Sequence, residues 1–246
     1  MGLADLHIHS CHSDGTATVA AILHHVSAFT DLDVIAITDH DTLAGALQAC
    51  EMAPRFRVQV VPGVEITTRE GHLLALFLET PVRPWQSFVE TAEQVRLRGG
   101  LPFAAHPTCS LGKSIGQARL RHIVRRHPGL LAGIEAENGA LATLQDNAAA
   151  QNLRWELNLP GLGNSDAHSL PSIGCAATAF AGHTVADLRR ALEAGAVVPL
   201  PVRREEGYFR HMAWRFALRL GMGLIDDLEA HEGADGRLRW MRVRAV

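Results

Sequence analysis

Leu3-Ala4-Asp5-Leu6-His7-Ile8-His9 is an apolar run that closes on two imidazoles one residue apart. Short, continuous apolar runs of this kind read as β-strands buried on both faces. A side-chain period of two then points His7 and His9 to the same side at the strand's end. Asp5, two residues earlier on that face, is placed to orient an imidazole through its other ring nitrogen. The pattern recurs along the chain. Val34 to Thr38 runs into Asp39-His40-Asp41, Val58 to Val61 into Pro62-Gly63-Val64-Glu65, and Gly71-His72 opens Leu73 to Leu78. Leu101 to Ala105 ends at His106, Leu130 to Ile134 is followed by Glu135 and Asn138, and Leu159 to Gly163 leads into Asn164-Ser165-Asp166-Ala167-His168.

Between these strands lie helix signals. Thr18 is placed to cap a helix whose Val19, Ile22, Leu23 and Val26 share one face, and Thr42 to cap Leu43 to Ala53. Further helices are expected over Trp85 to Leu97, Gly116 to Arg126 and Ala140 to Gln151. Alternating strands and helices predict an α/β fold, with parallel strands joined by right-handed crossovers and closed into a barrel whose site lies at the strands' carboxyl ends. Glu65 to Leu73 leaves no room for a helix, so the third and fourth strands are expected to pair as a hairpin, distorting the barrel away from a regular eightfold one.

The composition changes after Pro199, where Pro201, Arg203, Arg204, Glu205 and Glu206 form a polar connection. The expected division is a barrel over residues 1–200 and a C-terminal helical extension over 201–246 that packs on it. Phe209, Met212, Ala213, Phe216 and Leu220 share one face of the extension's helix. A homodimer contact is the other use of that face. Asp235-Gly236 marks a turn between two short strands near the chain's end.

A net charge of -3, from 23 basic and 26 acidic residues, gives no broad positive field. That balance disfavours nucleic acid or an anionic membrane as partner and favours a small substrate. Cys11, Cys50, Cys109 and Cys175 are widely spaced with no Cys-x-x-Cys pair, which reads as reduced thiols rather than a disulfide scaffold. No sorting signal and no apolar run of membrane-spanning length is seen, so a cytoplasmic location is expected.

The chemistry lies in His7, His9, Asp14, His40, Glu65, His72, His106, Asp166 and His168. Neutral imidazole and carboxylate are the ligands of Zn²⁺, Mn²⁺ and iron ions, and strand ends gather distant residues at one rim. Asp14 sits in the turn Ser13-Asp14-Gly15, whose glycine lets the backbone bend so that the carboxylate faces the rim. His40 reads as a ligand with Asp39 and Asp41 as its orienting partners. Glu65, with two carboxylate oxygens, is the candidate bridge between two cations. The joint pattern reads as a multinuclear metallohydrolase.

Asp5-Leu6-His7-Ile8-His9-Ser10, Ser13-Asp14-Gly15, Thr38-Asp39-His40-Asp41, Pro62-Gly63-Val64-Glu65, Ala105-His106-Pro107 and Asn164-Ser165-Asp166-Ala167-His168 follow one another in an order that resembles the polymerase and histidinol phosphatase (PHP) domain phosphoesterases. The resemblance implies a distorted (β/α)7, TIM-barrel-like fold holding two or three divalent metal ions, with manganese, zinc and iron all admissible. It implies one metal on His7, His9, Glu65 and Asp166, a second on Glu65, His72 and His106, and a third on Asp14, His40 and His168. His12, an uncommon residue at its place in that pattern, is a candidate to replace or supplement Asp14 at the third. The short span between Glu65 and His106 leaves little room for the lid domain inserted in some relatives.

The function expected is hydrolysis of a small-molecule phosphomonoester, a nucleotide or sugar phosphate, in which metal-activated hydroxide attacks phosphorus in line. Glu65, Asp166 and His168 are the expected catalytic groups. Lys113, the chain's sole lysine, and Arg119 are candidates for the phosphate. Glu135 and Asn138 are expected beside the ligands as supporting or substrate contacts. Two alternatives share the motifs: a nuclease that trims nucleic-acid ends, expected to carry a basic groove, and a non-catalytic metal-binding accessory module, expected to have lost ligands.

Overall fold

The structure, a computed structural model, describes residues 1–110, 113–140 and 146–201, together with the backbone of 228–232 and 238–242. The chain divides into two units, Met1–Arg204 and Glu205–Val246. The first contains strands β1 (Gly2–Ile8), β2 (Val34–Ile37), β3 (Gln59–Thr67), β4 (His72–Leu76), β5 (Leu101–Ala104), β6 (Gly133–Asn138), β7 (Gly161–Asn164), β8 (Ala177–Phe180) and β9 (Val197–Leu200). Six helices accompany them: α1 (Val19–Phe29), α2 (Ala44–Met52), α3 (Phe88–Leu97), α4 (Gln117–Arg126), α5 (Asn147–Leu157) and α6 (Val185–Glu193). In the second unit β10 (Leu228–Glu232) pairs antiparallel with β11 (Leu238–Arg242), the two short strands expected around Asp235-Gly236. The helix expected across Phe209 to Leu220 lies outside the described residues.

The large sheet follows chain order from β7 back to β1 and then continues to β8 and β9. Pairs β1–β2, β2–β3, β5–β6 and β6–β7 are parallel, whereas β4 runs against both β3 and β5. The expected hairpin is therefore present, with Thr67 directly opposite His72. Closure comes where β7 meets β1: His9 N–H donates to Ala167 O at 2.9 Å, and Leu6 N–H to Asn164 Oδ1 at 3.0 Å. The result is a nearly closed, seven-stranded distorted barrel with β8 and β9 annexed to β1.

Burial explains the continuous apolar runs. Ala4, Leu6, Val34, Ala36, Leu74, Leu76, Phe103 and Leu162 pack into one cluster that α6 joins through Leu188 and Leu192. A second cluster lies under α3, α4 and α5, and a third under α1 and α2. Strands β1, β2 and β4 to β8 thus bury both faces, as a helix-covered barrel requires, whereas the annexed β9 exposes Val198.

Helix starts follow caps more closely than apolar content. Thr18 caps α1 by accepting from Ala21 N–H at 3.3 Å, as its sequence implied. Thr42 accepts from Ala44 N–H at 3.2 Å, one position before Leu43, which takes the cap position of a helix that starts at Ala44. The helix placed from Trp85 begins instead at Phe88, behind a reciprocal Ser87–Glu90 capping box. The one placed from Ala140 begins at Asn147, capped by Asp146. Helix α6, with its Thr184–Asp187 box, and strands β8 and β9 have no counterpart in the sequence expectations.

Ser87→Ala and Thr184→Ala should each lower unfolding free energy by about 1 kcal/mol. The two caps share no partner, so the double variant should lose the sum. Urea denaturation checks this, and a combined loss below roughly 0.5 kcal/mol would show that the boxes do not hold these helices.

Candidate metal centre

A bulge sets the geometry of β1. Ala4 and Asp5 pair with Val34 and Ile35, but Ile8 pairs with Ile37, so one extra residue lies on β1 between Asp5 and Ile8. Ala4 and Leu6 belong to the inner cluster while Ile8 packs among α1 and α2. The bulge also separates Asp5 from the face of His7 and His9. Asp5 does not orient an imidazole. Its carboxylate accepts from Ser165 N–H at 3.0 Å and Gly174 N–H at 2.9 Å, tying the segment after β7 to β1. Full burial pushes the Asp5 carboxyl up to about 6, although those hydrogen bonds pull it down.

Four strand ends converge on Glu65, which is 1% exposed. His7 Nε2, His9 Nε2 and His40 Nδ1 lie 3.2, 3.4 and 3.1 Å from its Oε2, while His72 Nδ1 and His106 Nε2 lie 2.8 and 2.9 Å from its Oε1. Asp166 closes the inner side, its Oδ1 3.2 Å from His9 Nε2 and 3.6 Å from His7 Nε2. At the outer side Asp14 gathers His168 at 3.2 Å, His9 at 3.5 Å and His40 at 3.8 Å. All nine expected residues are thus brought together. Three ligand groups have atoms mutually within 4.8 Å: His7, His9, Asp166; His40, Glu65, His72; and His9, Asp14, His40, His168. His12 is outside them, hydrogen-bonded through Nε2 to Gln48 Oε1 at 2.9 Å.

Supporting groups differ from those expected. Asp39 and Asp41 do not orient His40. Asp39 accepts from Ser10 N–H, Ser10 Oγ and Ser13 Oγ, each at 2.7 Å, and so pins the turn that carries Asp14. Gly15 makes that turn possible by close approach, since a Cβ there would stand 2.2 Å from His9 O. Asp41, at φ 56°, accepts from Thr67 N–H at 2.6 Å. The acid that orients an imidazole is Glu135: its Oε1 lies 2.9 Å from His7 Nδ1 and accepts from Asn164 Nδ2 at 2.8 Å, and its Oε2 accepts from His106 N–H at 2.7 Å. Asn138 Nδ2 donates to Asp166 Oδ2 at 3.2 Å. Asn164, with no role assigned in the sequence reading, also receives Leu6 N–H. Its signal was an amide ending an otherwise apolar buried strand.

The electrostatics demand positive charge at the centre. Burial alone would raise the Glu65 and Asp166 carboxyls, but the surrounding imidazoles, His7 foremost, hold both well below the usual range. Glu135 is likewise lowered against its burial by His7. In return, Asp166, Glu135 and Glu65 hold His7 well above the ordinary imidazole value despite its burial. With Nδ1–H given to Glu135, the His7 Nε2 lone pair faces two carboxylate oxygens, an arrangement only a proton or a cation relieves. His7 Nε2, His9 Nε2, His40 Nδ1 and His72 Nδ1 are all buried without a hydrogen bond. Buried polar nitrogens are rarely left so, and these four point at a shared carboxylate. The donor set therefore fits divalent cations. His106 at φ 26° and Asp166 at φ 51° sit in the left-handed region, a strain of about 1–3 kcal/mol each that the surrounding bonds must sustain.

Two expected phosphate contacts lie farther out. Lys113 is exposed, with its ammonium 3.9 Å from the Trp85 ring centroid, and its carbonyl accepts from His72 N–H at 2.9 Å. Arg119 is exposed on α4, and no hydrogen bond or ion pair among the described residues joins it to the cluster.

A family model described as the PHP domain matches residues 5–138, and another described as PHP-associated matches residues 145–197. The chain belongs to the PHP domain family. This PHP domain is 36% identical over 124 residues to an uncharacterized protein of Methanocaldococcus jannaschii, covering 46% of this chain and 72% of that one. It is 39% identical over 83 residues to a phosphoribosyl 1,2-cyclic phosphate 1,2-diphosphodiesterase of Eggerthella lenta, 31% of each chain. It is 39% identical over 76 residues to a 5'-3' exoribonuclease of Haemophilus influenzae, 29% of this chain and 27% of that one. The matches to these two enzymes take in under a third of their length. Among solved structures, a two-domain protein containing a predicted PHP-like metal-dependent phosphoesterase, from Bacteroides vulgatus, superposes with a TM-score of 0.65 at 19% identity, covering 94% of this chain and 71% of that one. At that identity the likeness is one of fold.

Glu135→Gln replaces a fourfold acceptor by a group with one acceptor oxygen. It should weaken Mn²⁺ or Zn²⁺ binding by about 10–100-fold, measured by calorimetric titration of a variant shown to be folded by circular dichroism. Unchanged affinity would remove Glu135 from the centre's support.

Proposed function

We propose that this PHP domain is a metal-dependent phosphoesterase that hydrolyses a phosphomonoester of a small molecule, a nucleotide or a sugar phosphate. The observation that carries the reading is the set of four buried imidazole nitrogens, each without a hydrogen bond and each within 3.4 Å of a Glu65 oxygen. Glu65 is assigned as the bridge, His7, His9 and Asp166 as the inner holders, and His72 and His106 as holders at the other Glu65 oxygen. His40, Asp14 and His168 are assigned to an outer position. Two or three divalent ions, when bound there, supply Lewis-acid charge that polarises both a water and the phosphoryl oxygens.

The chain's own groups do the remaining work. Glu135 holds the His7 ring, and through His106 N–H it holds the backbone at a strained ligand. Asn138 fixes Asp166. His168 and Asp14, 31% and 34% exposed at their side chains, form the solvent-facing edge where an alkoxide departs. Asp166 and His168 are assigned as catalytic with Glu65. Lys113 and Arg119 are assigned to the phosphate, and Lys113 makes no ion pair among the described residues that would cancel its charge. The setting assigned is the cytoplasm; the four cysteines are free thiols, and no helix among the described residues is long and apolar enough to cross a membrane.

A nuclease is the second reading, favoured by the likeness to an exoribonuclease. Against it stand the net charge of -3 and an aromatic content of 5%.

The test is phosphate release by metal-reconstituted protein over nucleotides, sugar phosphates and short oligonucleotides. Glu65→Ala and Asp166→Ala should each lower kcat/KM by about a thousandfold, the equivalent of several kcal/mol of charge stabilisation. Release that survives both changes would overturn the mechanism, and cleavage of oligonucleotides alone would install the nuclease.

A further inference from the structure

We propose that Trp85 and Lys113 form a recognition wall beside His72, with the indole face turned away from the ammonium taking the planar base of a nucleotide and the ammonium an anionic group of the same substrate. This rests on the phosphoesterase reading and narrows its substrate from phosphoesters in general to nucleotides.

Trp85 is 59% exposed, yet it is not a loose surface aromatic. Its backbone lies in the left-handed region at φ 64°, unfavourable for a bulky residue and maintained only where the surroundings compel it. Its N–H donates to Thr67 O at 2.7 Å, Gln86 O accepts from Arg69 N–H at 3.0 Å, and Phe88 N–H donates to Glu70 Oε2 at 2.7 Å. The segment before α3 is thus fastened to the turn that joins β3 to β4. Thr67 is the register partner of His72, so the indole is anchored one strand away from a residue of the metal centre.

Lys113 arrives from the other side. Its carbonyl accepts His72 N–H at 2.9 Å. Gly71 permits this approach, because a Cβ there would stand 2.4 Å from Ile115 N. The chain's sole lysine therefore stands next to His72, its ammonium 3.9 Å from the Trp85 ring centroid. Two residues from loops after different strands flank one rim position. The ammonium covers one face of the indole, so the ring, 59% exposed, offers a base its opposite face, and the cation has no carboxylate partner among the described residues. A planar base stacks on an indole with little regard to its identity, and a nearby cation holds an attached phosphate. A sugar phosphate lacks the ring and would use the cation alone.

Steady-state kinetics of the full chain with adenosine monophosphate and ribose 5-phosphate test the wall. Trp85→Ala should raise KM for adenosine monophosphate about tenfold or more, leave KM for ribose 5-phosphate within about twofold, and leave kcat for both unchanged. Trp85→Phe should recover most of the loss. An equal rise for both substrates, or no rise for either, overturns the proposal. Tryptophan fluorescence of EDTA-treated protein titrated with adenosine monophosphate gives a readout that needs no turnover. Quenching in the native chain that disappears in Trp85→Phe supports the wall even if no phosphoester is hydrolysed, an outcome that would sink only the phosphoesterase reading. Quenching unchanged in Trp85→Phe overturns the wall.

Discussion

A buried carboxylate surrounded by imidazoles is the constraint around which this barrel is built. Placing the ionised Glu65 in the interior costs several kcal/mol unless opposite charge or hydrogen bonds compensate it. Five histidines contributed by four different strands do so. Those strands must end level with one another for the arrangement to exist, so the barrel's closure and its chemistry are one requirement. The contact between His9 and the Ala167 backbone illustrates this, because it closes the barrel and places Asp166 opposite Glu65 in the same stroke.

Regular strands alone would not aim the side chains correctly. The extra residue in β1 breaks the alternation between Asp5 and His7, and a second irregularity in β6 lies between Glu135 and Glu137. The first turns His7 inward while Asp5 fastens the Ser165 and Gly174 segment. The second leaves Glu135 facing His7 while Glu137 accepts from Gln151 on α5. Bulges are the usual way to re-aim a residue without abandoning the sheet. The left-handed backbones of His106 and Asp166 complete the set.

Residue pattern carries most of the barrel and most of the centre, and the failures have specific causes. Strands announce themselves because both of their faces are buried, which makes the apolar runs continuous. The nine ligand candidates stand out because polar residues at the ends of such runs are costly without a purpose. Asp5 is misplaced because a period of two cannot reveal a bulge. Glu135 is noticed only as the residue after the apolar run Leu130 to Ile134, since nothing local shows that a residue 128 positions earlier supplies the imidazole it holds. Trp85 pulls the apparent start of α3 forward by its apolar character, although the Ser87–Glu90 spacing marks the true start. The alanine-rich approach to α5 gives no helical face, and the boundary there rests on Asp146 alone.

The reversed β4 deserves a last word for what it does to rigidity. Elsewhere on the rim the chain leaves a strand and runs into a loop just as it presents its ligand. At His72 the chain instead enters, so this imidazole is carried by the first rung of a ladder, with Thr67 across from it and the Lys113 carbonyl behind it. The short connection before it, four residues from Thr68 to Gly71, leaves no slack for the ring to retreat. That quarter of the rim is a fixed jaw, braced on both sides of the imidazole.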